Sequence, residues 1–194
     1  MLPALCCCLM SLASSGQSMS DRISQIPVMA WLGIPAEETT RARYQEMKDA
    51  GITHQLTFFP SADAMQKALD TAAKVGIRMV VSCPELRTDP EGTARRFMKH
   101  PAVAGYHLMD EPPLGLFPML GEWGRRIRTV DSTHFCYVNL FPALGDNDTL
   151  RFGTNDYRKY IRACISQVPI RFVSFDYYPV LKEGLADSWF LNLE

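Results

Sequence analysis

Two adjacent carboxylates, Asp110 and Glu111, close an apolar run that begins at Val103 and reads VAGYHLMD, and Pro112 and Pro113 follow at once. A buried strand that breaks off into acidic groups is where an α/β protein places its chemistry. A carboxyl group there can serve as a general acid if apolar surroundings hold its pKa toward neutrality. Side chains alternate along a strand, so Asp110 and Glu111 are expected on opposite faces and cannot together form an acid and nucleophile pair. This reading makes Glu111 the acid/base and Asp110 a supporting group that orients the site. His107 is expected on the face of Glu111, where its ring could hydrogen-bond beneath the acid. Each residue has a plainer alternative. Glu111 could cap the following helix or pair with an arginine, Asp110 could be structural, and His107 could be a packed neutral imidazole.

Other strand ends also carry polar or aromatic groups. Trp31 closes the run IPVMAWL, Asn139 lies near the end of FCYVNL, and Asp176, Tyr177 and Tyr178 end the run that starts at Phe172. Gln55 and Thr57 are weaker candidates on the second run. His107, Asp110, Glu111 and Asp176 include metal-binding donor types, yet no second histidine stands at i+2 or i+4. His54, His100 and His134 fall at strand or helix starts, the opposite end of each repeat. The expectation is therefore no metal and no cofactor, with a metal-dependent hydrolase as a minor alternative.

The elements that must hold these residues repeat. Apolar runs start near 26, 52, 77, 103, 135 and 171, with first steps of 26, 25 and 26 residues. Helical patterns fall between them, over 37–50, 62–75, 89–99, 116–128 and 156–166, and a further helix is expected over 187–193. Gly51 and Gly76 stand where helices should end, and Ser61 where one should begin. A strand, crossover helix and strand repeat of this kind builds a parallel sheet covered by helices, either an open doubly wound sheet or a closed eight-stranded barrel. No glycine-rich dinucleotide loop or phosphate loop follows any strand. Residues for chemistry gather instead at many strand ends, as in a barrel that presents its site from one rim.

A fourth strand ending in Asp110-Glu111-Pro112 resembles the TIM-barrel glycoside hydrolases, the large clan of β-galactosidase and endoglycanase kind that keeps its acid/base glutamate at the end of strand four. The resemblance spans roughly residues 26–193. It implies an α/β fold of (β/α)8 TIM-barrel type with about six β/α units in this chain, and a retaining acid/base mechanism on O-glycosidic bonds. Glu111 takes the acid/base position, while Asp110 stands where asparagine is more usual. The clan's nucleophile glutamate sits at the end of strand seven, and the sequence ends at Glu194 after six strands. A closed barrel of this type typically needs about 250 residues, so the resemblance implies a barrel truncated after strand six. It also gives the other strand ends a role. Trp31, Tyr177 and Tyr178 would stack on or bind a sugar, and Asn139, Asp176 and His107 would meet its hydroxyls. A non-catalytic carbohydrate-binding barrel is the alternative.

Composition agrees with a globular domain of this size. The 194 residues are 47% hydrophobic, and 20 Lys and Arg stand against 21 Asp and Glu, for a net charge of -1. That balance gives no electrostatic reason to bind nucleic acid or an anionic membrane. Cys83, Cys136 and Cys164 are scattered and read as buried thiols. Residues 1–22 differ from the rest. An apolar stretch including Cys6, Cys7 and Cys8 runs into a small, polar one, as in a secretory signal, although no Lys or Arg precedes it. The expected organisation is a signal-like or disordered leader over 1–22 and a barrel-type domain over 23–194. A cleaved leader would make the protein secreted or periplasmic; without one it would be cytoplasmic. The expected partner is a glycoside or other carbohydrate. No apolar run is long enough to span a membrane.

Overall fold

A computed structural model describes residues 26–143, 149–178, 180–182 and 184–185. The expected leader and the expected helix over 187–193 lie outside the described residues. Six strands form one parallel sheet in sequence order: β1 (Met29–Trp31), β2 (His54–Leu56), β3 (Arg78–Val81), β4 (Val103–Asp110), β5 (Phe135–Leu140) and β6 (Ser174–Phe175). Helices fill the crossovers: α1 (Arg41–Asp49), α2 (Ala62–Ala73), α3 (Glu85–Thr88), α4 (Pro90–Phe97), α5 (Phe117–Val130), α6 (Thr149–Phe152) and α7 (Tyr157–Gln167). A two-residue hairpin, β7 (Val180–Leu181) with β8 (Gly184–Leu185), follows β6. Among the described residues no helix is long and apolar enough to cross a membrane.

The sheet is strongly curled. The Trp31 ring on β1 lies 6.0 Å from the Tyr137 ring on β5, although four strand spacings separate the two along the sheet. A flat sheet would put about 19 Å between them. Curling divides the apolar residues into two cores. Met79, Val81, Tyr106, Leu108, Val138 and Leu140 face the helices, and Leu56, Val80 and Tyr137 pack inside the curl against Met29 and Phe135. This is the inside-and-outside burial of a (β/α) barrel wall, and the fold is α/β of incomplete TIM-barrel type, with six parallel strands and helices in the five crossovers between them among the described residues.

Local chemistry explains where the helices start. Thr40, Ser61, Asp89 and Asp156 each accept a hydrogen bond from the backbone N–H three residues on, capping α1, α2, α4 and α7. The Thr40 cap also shortens the expected helix over 37–50, whose first residues form a 3-10 turn at Ala36–Glu38 instead. Helix α5 runs straight through Gly121 and Gly124. A Cβ at Gly121 would lie 2.2 Å from the Gln167 carbonyl oxygen, and one at Gly124 would lie 2.7 Å from Pro169 Cγ. These glycines let the chain leaving α7 pass close against α5.

Strand β4 departs from simple alternation. Its pairing with β3 skips Ala104, and its pairing with β5 skips Leu108: His107 opposes Tyr137, Met109 opposes Val138, and Asp110 opposes Asn139. An extra residue in one strand shifts every later side chain to the other face. His107 and Asp110 therefore both face the inside of the curl. The expectation that alternation puts Asp110 on the face opposite His107 is corrected here. The expected sixth strand over 172–178 is also shorter, with ladder pairing only at Ser174 and Phe175 plus an isolated bridge from Ile170 to Cys136.

Candidate active site

Asn139 is the hub of the C-terminal rim. Its Nδ2 donates to Asp110 Oδ1 at 3.1 Å and to Asp176 Oδ1 at 2.6 Å. Its Oδ1 accepts from Ser174 Oγ at 3.2 Å, and that hydroxyl lies 2.8 Å from the Tyr137 hydroxyl. One amide on β5 thus holds two carboxylates, from β4 and from the end of β6, at one spot inside the rim. Tyr178 lies beside them. Its phenol hydrogen-bonds to Asp176, and the charges of Asp176, Glu111 and Asp110 push its pKa up. Tyr177, its neighbour in sequence, is half-buried.

Glu111 comes immediately after β4 and sits at φ 44°, the left-handed region that a non-glycine residue rarely occupies. Its N–H donates to the Asn139 carbonyl at 2.8 Å, which fixes the turn. The turn is braced from behind. The Tyr160 hydroxyl on α7 donates to the Pro112 carbonyl at 2.8 Å and accepts from Phe141 N–H at 3.4 Å. The Glu111 carboxyl is pushed above the usual glutamate range, first by burial, then by Asp176, and least by Asp110. Arg151 acts in the opposite direction, with a guanidinium nitrogen 3.6 Å from Glu111 Oε2. The same guanidinium stacks over the Phe141 ring, 4.6 Å from its centroid. A carboxyl raised by burial and by two neighbouring carboxylates, and only partly countered by a cation, is the chemical type that serves as a proton donor to a leaving group.

Deeper inside, the His107 ring is enclosed by aromatic groups. Trp31 stands edge-on at 5.9 Å, Phe58 at 5.3 Å and Tyr137 at 6.1 Å between centroids. Its Nδ1 is 3.4 Å from Ser82 Oγ, and its Nε2 is buried without a hydrogen-bond partner. Burial lowers its pKa to about 4, and Arg87 contributes in the same direction. The ring is therefore neutral near pH 7. Trp31 is 37% exposed at the mouth.

The structure brings Asp110, Asn139, Asp176, Tyr178 and Glu111 together, with Trp31 and His107 on the inner wall. Gln55 does not belong with them. It is buried on the helix side, where its side chain bonds both the N–H and the carbonyl of Ile34. Thr57 is buried, and its hydroxyl donates to the Leu56 carbonyl. Among the described residues no group of three His, Cys, Asp or Glu side chains is placed to hold a metal ion. Two participants escape a reading by strand ends alone. Arg151 lies between the fifth apolar run and the helical pattern over 156–166, and Tyr160 lies within that helical pattern. The only sequence signal for Tyr160 is a polar tip on an aromatic residue that has to be buried.

By sequence, the chain matches no protein-family model and no curated protein. By structure it is similar to β-mannanase from the blue mussel Mytilus edulis, with a TM-score of 0.59 at 12% identity over 86% of this chain and 74% of that one. It is similar to β-1,4-mannanase from the sea hare Aplysia kurodai, with a TM-score of 0.51 at 15% identity over 82% of this chain and 73% of that one. A glycosyl hydrolase family 2 member from Bacteroides cellulosilyticus gives a TM-score of 0.51 at 11% identity; the likeness covers 78% of this chain and 21% of that one. At these identities the shared property is the fold, a parallel barrel-type sheet of the kind that glycoside hydrolases use.

Proposed function

We propose that the chain carries the acid/base half of a retaining glycoside hydrolase site, with Glu111 as the proton donor to the leaving glycosidic oxygen. The observation that carries this reading is the placement of Glu111 on the fourth parallel strand's exit, with its carboxyl pushed up beside Asp110 and Asp176. Asn139 holds Asp110 and Asp176 in place, and these groups bind sugar hydroxyls. Trp31 and Tyr178 supply aromatic faces for the rings, and His107 lines the wall as a neutral imidazole. A retaining mechanism also requires a second carboxylate about 5–5.5 Å from the acid. In this proposal it is a glutamate on a seventh parallel strand of the barrel, distinct from the β7–β8 hairpin and outside the described residues. The similarity of the fold to two mannanases and a family 2 glycosyl hydrolase supports a carbohydrate substrate.

Binding and cleavage separate this reading from a barrel that only binds glycans. Glu111→Gln keeps the side chain's size and removes its acidity. On the proposal, glycan affinity measured by calorimetry changes by no more than about twofold, while cleavage falls by about 10²–10⁴-fold. Glycan binding with no cleavage to lose in the unaltered chain supports the binding-only alternative.

A further inference from the structure

The rim carries a second concave feature, mostly apolar but edged by an arginine and two hydroxyl side chains, that the catalytic reading does not use. Beyond the ends of β2 and β3 lies a depression of about 340 Å³ lined by Phe58, Ser82, Arg87 and Thr88 among others. Phe58 is 49% exposed and lies against the His107 ring. Ser82 reaches the same ring through its hydroxyl. His107 is only 4% exposed, and its Nε2 is an orphaned buried nitrogen behind the wall of this depression. Arg87 is exposed on α3, directly after β3, and among the described residues no carboxylate pairs with it. The other rim arginine, Arg151, is already engaged by Glu111. The depression therefore combines a planar cation with free donors, two hydroxyl side chains, and a half-exposed aromatic ring at its edge.

We propose that this depression is a subsite for a carboxylated sugar, a uronic acid unit of the glycan, with Arg87 receiving the carboxylate. The guanidinium presents paired N–H donors in the geometry that a planar carboxylate accepts, and charge-assisted bonds of this type are about twice as strong as neutral ones. Phe58 covers the apolar face of the sugar ring, and Ser82 and Thr88 meet its hydroxyls. The inference rests on the carbohydrate reading above and narrows it to acidic glycans. It places the anion away from Asp110, Asp176 and Glu111, whose charges would repel it.

The test uses the full chain and calorimetry with matched probes: oligosaccharides of galacturonate and of glucuronate, their neutral methyl esters, and a sulfated oligosaccharide of similar length. The expected result is that one uronate series binds at least about tenfold more tightly than its ester. Arg87→Ala removes that preference and leaves the ester's affinity in place, and Arg87→Lys restores only part of it. Circular dichroism melting of both variants confirms that they are folded. Equal binding of uronates and esters, or a preference that survives Arg87→Ala, overturns the subsite while leaving the glycosidase reading intact. Tighter binding of the sulfated probe than of either uronate overturns the carboxylate assignment. Failure of every glycan, charged or neutral, removes the carbohydrate reading together with the subsite.

Discussion

Glu111 sits between opposing influences, and their balance sets its protonation. Burial, Asp176 and Asp110 push the carboxyl up, and Arg151 pulls it down. Carbon-13 NMR of labelled glutamate side chains should place its titration midpoint above that of ordinary glutamates. Arg151→Ala should move it higher still, and a downward move would contradict the account. A carboxyl whose folded pKa exceeds its unfolded value loses stability as pH rises through the window between the two. Glu111→Gln should therefore melt at a higher temperature than the parent near pH 7, with the difference shrinking below the unfolded pKa. His107 works in the other direction. Its folded pKa of about 4 lies below its ordinary 6.5, so the unfolded chain binds the extra proton and stability falls as pH drops from 6.5 toward 4. Fully expressed, this amounts to about 3 kcal/mol. Denaturant titrations across that window should show the loss, and His107→Gln should flatten it.

At the scale of elements, alternation along a strand is a rule that one inserted residue overturns. The identities of Asp110, Glu111, Asn139 and Asp176 and their positions at strand ends were legible in the sequence, because each follows an apolar run and precedes a break. Which of them share a face was not legible. The residues skipped at Ala104 and Leu108 depend on how an eight-residue strand pairs with shorter neighbours, and that is a property of three strands rather than one. Arg151 was hidden for a similar reason, since its partner lies 40 positions away and no periodicity marks it. The glycines of α5 read as helix breakers in isolation and serve instead to let the chain after α7 come close. Gly121→Ala should accordingly cost about 1–3 kcal/mol in chemical denaturation, the range for overpacking a filled site. Gly115→Ala, with nothing within 4 Å of the added carbon, should cost little. Equal effects at both positions would show that close approach is not the reason for the glycine.

Across the whole molecule, curling is what makes one site from six strands. It brings Trp31 on β1 to within ring contact of His107 on β4 and Tyr137 on β5, and it aims the ends of β4, β5 and β6 at one spot. The regular strand spacing announced the parallel sheet, and the apolar runs announced its two buried faces. The curl itself is read only from contacts across the sheet. The central claim concerns the proton that Glu111 supplies, and it can be tested without reference to the second carboxylate. Azide, added as an external nucleophile, attacks the anomeric carbon of a methyl glycoside: the C–N bond forms as the anomeric C–O bond breaks, and the departing methoxy oxygen takes the proton from Glu111 and leaves as methanol. The decisive measurement is the rate of azide-dependent methanol release by the full chain and by Glu111→Gln, over a panel of neutral and acidic methyl glycosides. The account predicts release by the unaltered chain on at least one glycoside, with a fall of about 10²–10⁴-fold on Glu111→Gln. Equal rates from the two proteins, or no azide-dependent release from the unaltered chain on any glycoside, would contradict it.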